Sequence, residues 1–227
     1  MQQLSEVRTR RVIVAVAAAL VALAALGVTP ADWGAGPDAA RAEPGHLHPV
    51  FAVNTEECGS YRAGTATVLE TLGGPLVVTA EHVPDGATSL EVVDRDASLA
   101  VTASLAGFDL EVLEHPEWVT GLAAPTGPDV GPGDRVTVVG YGAGELTATD
   151  TRVEAVQLRS SQWGPAEVLV LAAAVEPGTS GGAVLDAEGR VVGIVVARDH
   201  RTDVAVAYRI SDVLAAANLS RTPAPRC

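Results

Sequence analysis

The sequence predicts an all-β domain built in two halves of similar size, and three observations predict it. From about Pro49 onward the apolar runs are short and rich in valine, at residues 65–69, 76–79, 90–93, 136–141, 168–171 and 191–196. Glycine, proline and aspartate separate them at close intervals, the spacing of a β-sandwich or barrel. Midway, Pro125, Gly127, Pro128, Gly131 and Pro132 crowd the stretch between Glu117 and Pro132, a seam that divides the chain.

One helix interrupts this pattern. Ser211 and Asp212 supply a capping residue and a first-turn acid, Val213, Leu214 and an alanine stretch carry it to Leu219, and Pro223 and Pro225 follow. No period of 20–50 residues repeats. Residues 222–227 read as a tail.

Composition narrows the function. Hydrophobic residues make up 48% of the 227, enough for a sizeable core, and charged residues only 19%, which argues against disorder. The formal net charge is −13, and all 15 basic residues are arginine. So acidic a surface repels phosphate backbones and offers no basic patch to anionic lipid, so a nucleic-acid partner is not expected. Two cysteines, Cys58 and Cys227, are too few for a zinc cage. In an oxidising compartment they can form one disulfide; the alternative is two separate thiols.

The first 28 residues read as an export address. Arg8, Arg10 and Arg11 precede an uninterrupted run of Ala, Val, Leu, Ile and one Gly over residues 12–28. As a helix this run spans roughly 26 Å, short of the ~30 Å hydrocarbon core, which favours a signal peptide over an uncleaved membrane anchor without excluding the anchor. A buried core helix is a third reading. Thr9-Arg10-Arg11-Val12 loosely matches a twin-arginine signal, and Ala40-Arg41-Ala42 is a cleavage candidate far from the apolar run. Residues 29–47, rich in Pro and Gly, read as a linker. The expected location is therefore extracytoplasmic, secreted or tethered through residues 12–28.

Chemistry concentrates at Glu176-Pro177-Gly178-Thr179-Ser180-Gly181-Gly182-Ala183. A serine with glycines at −2, +1 and +2 lets backbone crowd the hydroxyl and lets an N–H point at an oxyanion. A Gly-rich hairpin turn is the bland reading of the same residues. A nucleophilic serine needs a base. Among five histidines, His82 follows an apolar strand, in Val77-Val78-Thr79-Ala80-Glu81-His82, where a base can be both fixed and accessible. His46 and His48 have a metal-pair spacing but no further ligand set, and read as solvated; His115 and His200 read as surface. The base needs an orienting carboxylate. Asp109, entering Leu110-Glu111-Val112-Leu113, is the first candidate and Asp96 the second.

The order His…Asp…Ser, with these three motifs, resembles the chymotrypsin-type, trypsin-like serine proteases, and most of all the bacterial HtrA/Deg-like peptidases. Thr79-Ala80-Glu81-His82 resembles their Thr-Ala-Ala-His, Asp109-Leu110-Glu111-Val112-Leu113 their Asp-Leu-Ala-Leu-Leu, and Pro177 to Gly182 their Pro-Gly-Asn-Ser-Gly-Gly. The resemblance covers residues 49–219 and implies two six-stranded antiparallel β-barrels, at about 48–117 and 130–210, with a C-terminal helix at 211–219. It implies a triad of His82, Asp109 and Ser180 in the cleft, an oxyanion hole from the N–H groups of Gly178 and Ser180, a protein or peptide substrate, and neither metal nor cofactor.

Some positions depart from that pattern. Thr179 stands where digestive relatives carry the Asp that forms an activating ion pair. Glu81 replaces a small residue and is expected to face solvent. Ala174, six residues before the serine, would floor the S1 pocket and disfavour basic P1 residues. HtrA-type relatives usually carry a PDZ domain, which the residues after the helix are too few to form. A catalytically inactive binding module of the same fold is the alternative reading.

Overall fold

The computed structural model describes residues 48–158, 167–199, 201–219, 221–224 and 226–227. The expected signal segment, the linker, His46 and His200 lie outside the described residues. No helix among the described residues is long and apolar enough to cross a membrane.

Six strands make the first barrel: β1 (Val50–Thr55), β2 (Arg62–Thr71), β3 (Gly74–Ala80), β4 (Ser89–Val92), β5 (Ser98–Leu105) and β6 (Leu110–Leu113). They run in the order β5-β4-β1-β2-β3-β6, all antiparallel, and β6 closes on β5. The second barrel holds β7 (Arg135–Gly142), β8 (Glu145–Leu158), β9 (Glu167–Leu171), β10 (Ala183–Leu185), β11 (Val191–Asp199) and β12 (Val204–Arg209), in the closed order β10-β11-β12-β9-β8-β7. Closure pairs every strand on both sides and leaves no edge exposed. The two expected six-stranded barrels are therefore present.

Alternation assigns each side chain to one of three cores. Phe51, Val53, Ala66, Val68, Val77, Leu90 and Leu99 fill barrel one. Val136, Val138, Leu169, Leu171, Val192 and Val195 fill barrel two. The largest cluster lies between them: Leu69, Leu76, Val78, Leu110 and Val112 meet Val139, Ile194, Val206 and Tyr208. The barrels thus share a continuous apolar interface. The connecting segment staples both sides. Ala124 bonds to Val68 and Glu70 of β2, while Pro125 and Gly127 bond to Val191 of β11.

Helix α1 (Ile210–Leu219) begins one residue before the expected start and buries Ile210, Val213, Ala216 and Ala217. The chain then returns to barrel one. A two-residue strand β13 (Arg221–Thr222) pairs with Leu105 and Ser104 of β5, and the N–H of Cys227 donates to the carbonyl of Gly86 at 3.0 Å. Cys58 and Cys227 form a disulfide with Cα atoms 5.8 Å apart. At Thr222 and Cys227, then, the expected tail is strapped to barrel one.

Candidate active site

His82 sits just beyond the end of β3, and Asp109 just before β6, the strand paired with β3. Register therefore sets them side by side: Ala80 lies opposite Leu110. His82 Nδ1 is 2.9 Å from Asp109 Oδ2, and the His82 backbone N–H donates to Asp109 Oδ1 at 3.3 Å. A carboxylate only accepts, so Nδ1 carries the hydrogen and Nε2 of the neutral ring keeps its lone pair. The imidazole is 45% exposed and the Asp109 side chain 16%, so the ring is accessible and its anchor shielded. Asp96, the second candidate, lies exposed in the turn between β4 and β5 and takes no part.

Barrel two supports this pair from behind. The backbone N–H of Asp109 donates to the hydroxyl of Tyr208 on β12 at 3.0 Å. Tyr208 is fully buried, and burial pushes its hydroxyl up to about 12. Phe108 packs edge-on against its ring at 4.9 Å.

Glu81, expected to face solvent, is only partly exposed. It lines a cavity of about 380 Å³ with His82, Asp85, Asp109 and Cys227. Burial, and then the charge of Asp109, push its carboxyl above the usual range, while His82 draws it down. A second acid, Glu111, is wholly buried one register step along β6 and bonds Ser104 at 3.2 Å. Burial pushes it up to about 7, with Glu81 and Asp109 adding to the effect.

The serine run comes from barrel two, between β9 and β10. Its position against the histidine strand is fixed by close backbone packing. A Cβ on Gly181, at φ +86°, would fall well inside contact distance of the Thr65 carbonyl and 2.7 Å from Thr79 Oγ1. Gly64, in turn, is pressed between Val83 and the Ser180 carbonyl. Ser180 therefore lies against the end of β3 that leads into His82.

Between Pro177 and Gly182 two backbone N–H groups stand apart from the rest. The N–H of Thr179 donates to Glu176, that of Gly181 to Val195 and that of Gly182 to Thr179. The carbonyls are satisfied too: Pro177 by Ala143 N–H at 2.9 Å, Ser180 by Thr65 N–H at 2.8 Å, Gly178 by Thr65 Oγ1 at 2.8 Å and Gly181 by Thr67 Oγ1 at 2.7 Å. Among the described residues, the N–H groups of Gly178 and Ser180 find no protein acceptor. A trans peptide points its C=O and N–H in opposite directions. With the Pro177 carbonyl turned to Ala143, the Gly178 N–H faces the other way. Two unsatisfied N–H groups beside a hydroxyl are what a developing oxyanion requires.

Thr179 is buried, with its methyl group and hydroxyl close to Gly140 and Gly142 of β7. The neutral side chain fits a floor made of glycines. Ala174 lies exposed in the loop after β9, His115 is exposed, and His48 is half-buried at the entry to β1. No three of His, Cys, Asp and Glu cluster to hold a metal among the described residues. Sequence reading passed over Thr65, Thr67 and Tyr208. Their signal was polar groups at alternate positions facing into a Val-rich core, where each needs a partner.

Comparison with known proteins agrees with this architecture. A family model for the trypsin-like peptidase domain matches residues 64–194. The chain is 34% identical over 136 residues to the serine protease Do-like HtrA of Bacillus subtilis (strain 168). That match covers 54% of this chain but 30% of the relative, so the chain spans under a third of its length. The active form of the Rv3671c protease from M. tuberculosis superposes with a TM-score of 0.67 at 22% identity, covering 80% of this chain and 86% of that one. The HtrA-type protease AlgW with tripeptide gives 0.64 at 24% identity, covering 74% and 58%. At such identities the structures speak for the fold alone, but the family match spans more than half of the sequence, and the chain belongs to the trypsin-like peptidase family.

Proposed function

We propose that this domain is an exported serine endopeptidase that works through His82, Asp109 and Ser180. Ser180 Oγ attacks the carbonyl carbon of a peptide bond as His82 Nε2 takes its proton. Asp109 holds the ring and offsets the charge of the imidazolium. The N–H groups of Gly178 and Ser180 stabilise the oxyanion. Collapse breaks the C–N bond, His82 returns the proton to the leaving amine, and water then hydrolyses the acyl ester by the same route.

The observation that carries this reading is the pair of unsatisfied N–H groups between Pro177 and Gly182, a stretch whose other N–H groups are bonded. An inactive binding module has no need to hold two backbone donors open beside a paired histidine. The arginine-led apolar run of residues 12–28 supports export, and the Cys58–Cys227 disulfide fits an oxidising compartment. A small, uncharged Ala174 supports a preference for small or medium apolar P1 residues.

A fluorophosphonate probe tests the proposal. Wild type is expected to label, and Ser180→Ala and His82→Ala to lose the label. A folded wild type that does not label would overturn the activity.

A further inference from the structure

The shape of the oxyanion run is set by a residue of the opposite barrel. Thr65, on β2, is wholly buried and makes four bonds at once. Its Oγ1 donates to the Gly178 carbonyl at 2.8 Å and accepts the Tyr141 N–H at 2.9 Å. Its backbone N–H donates to the Ser180 carbonyl at 2.8 Å, and its own carbonyl accepts from Thr79 Oγ1 at 2.8 Å. A hydroxyl has one hydrogen and two lone pairs, so a single side chain can bridge β7 and the serine run. Its β-branched carbon stiffens χ1 and aims the hydroxyl.

The consequence follows from the peptide planes. Gly178 lies between two planes, one fixed by Ala143 through the Pro177 carbonyl, the other by the Thr65 hydroxyl. Ser180 also lies between two, one fixed by Gly182 through the Thr179 carbonyl, the other by the Thr65 N–H. Turning the Gly178 N–H away would require rotation about Gly178, at φ +99°, where a glycine backbone is freest to move. With Thr65 holding the far plane and Ala143 the near one, the two cannot swing round together. Resting on the peptidase reading above, we propose that Thr65 is a positioning residue: a cross-barrel latch that keeps the Gly178 and Ser180 N–H groups aimed at the oxyanion and couples their alignment to barrel docking.

The test compares the rate constant of fluorophosphonate labelling and the kcat and KM for p-nitrophenyl acetate in wild type, Thr65→Val, Thr65→Ser and Thr67→Val, with thermal melts of each. Thr65→Val keeps the shape and removes the hydroxyl. It is expected to slow labelling by about 10–100-fold and to lower kcat with little change in KM, since losing an oxyanion donor outright costs ~10²–10³ in kcat. Thr65→Ser is expected to restore both to within about threefold. Thr67→Val removes an equally buried bond, to Gly181, and is expected to lower the melting temperature similarly with a much smaller loss of labelling. If Thr65→Val does not fold, Thr65→Cys, a poor donor of similar size, is read in the same way. A folded Thr65 variant lacking the hydroxyl that labels at the wild-type rate overturns the latch and leaves the peptidase reading intact. So does a loss of labelling in Thr67→Val equal to that in Thr65→Val. A wild type that does not label removes the peptidase reading and the latch with it.

Discussion

The two barrels have the same strand count and closure but opposite chemistry. Among the described residues, the buried Thr55, Thr65, Thr67, Thr79, Ser104 and Glu111 all belong to barrel one, against Thr179 and the Tyr208 hydroxyl in the second half. Barrel two is filled by valine, leucine and alanine, with Tyr208 at its wall. At the cleft barrel one offers side chains, His82, Asp109 and the Thr65 hydroxyl. Barrel two offers the Ser180 hydroxyl and, around it, backbone: the N–H groups and carbonyls of residues 177–182, brought close by glycines. Side-chain hydroxyls can be aimed across an interface, whereas close backbone packing needs positions where side chains are absent. One barrel therefore needs buried hydroxyls and the other needs glycine.

The largest expected effect comes from breaking the backbone side of this division. Gly181→Ala places a methyl group against the Thr65 carbonyl and Thr79 Oγ1 at a positive φ. It is expected to cost about 3 kcal/mol or more and to abolish fluorophosphonate labelling, read by urea unfolding and probe assay. Full activity in that variant would mean that the serine run does not sit on β2 and β3.

The strap across barrel one comes next. Cys58 and Cys227 are 169 residues apart in sequence, so their bond closes a loop that holds every strand after β1 and the helix. Replacing both with serine is expected to lower stability by about 2–5 kcal/mol under oxidising conditions. Wild type in reducing agent should shift similarly. Equal melts for oxidised wild type and the double variant would show that strap and barrels are independently secured.

The polar interior of barrel one also predicts a pH dependence. Glu111 has its ordinary value near 4.5 in the unfolded chain and is raised to about 7 when folded. Between these values the folded state holds the extra proton. Stability is therefore full below about 4.5, falls as pH rises through the window, and is lowest above about 7, by roughly 3 kcal/mol from this group. Glu111→Gln should flatten that fall relative to wild type and leave a variant more stable than wild type at pH 8. Parallel pH profiles of the two would sink the assignment.

The smallest effect concerns the buried tyrosine that barrel two sets behind Asp109. Tyr208→Phe deletes the acceptor of the Asp109 N–H. A loss of about 1 kcal/mol is expected, with a several-fold drop in labelling rate. An unchanged rate would show that register alone holds Asp109.

Local pattern made much of this legible. Short valine runs separated by turn residues announced strands, and runs at 65–69, 76–79, 136–141, 168–171 and 191–196 fall within β2, β3, β7, β9 and β11. Strand β8, the longest, was not singled out, because its Thr-Ala-Thr-Asp-Thr stretch is half-exposed and lacks an apolar face. The His82–Asp109 pair is legible as two motifs, and the β3–β6 register brings Asp109, not Asp96, beside His82.

Features that depend on neighbours along the chain are written locally: strand and helix periodicity, the glycines that free the serine run, and the order of three motifs that resembles one protease family. Tertiary structure decided which polar groups serve one another. Thr65 meets Gly178 across 113 residues, and Asp109 meets Tyr208 across 99. In sequence a threonine in a valine-rich strand is only a good strand former. It becomes a latch when folding buries its hydroxyl beside an unpaired carbonyl, because a buried polar group must find a partner wherever the fold brings one.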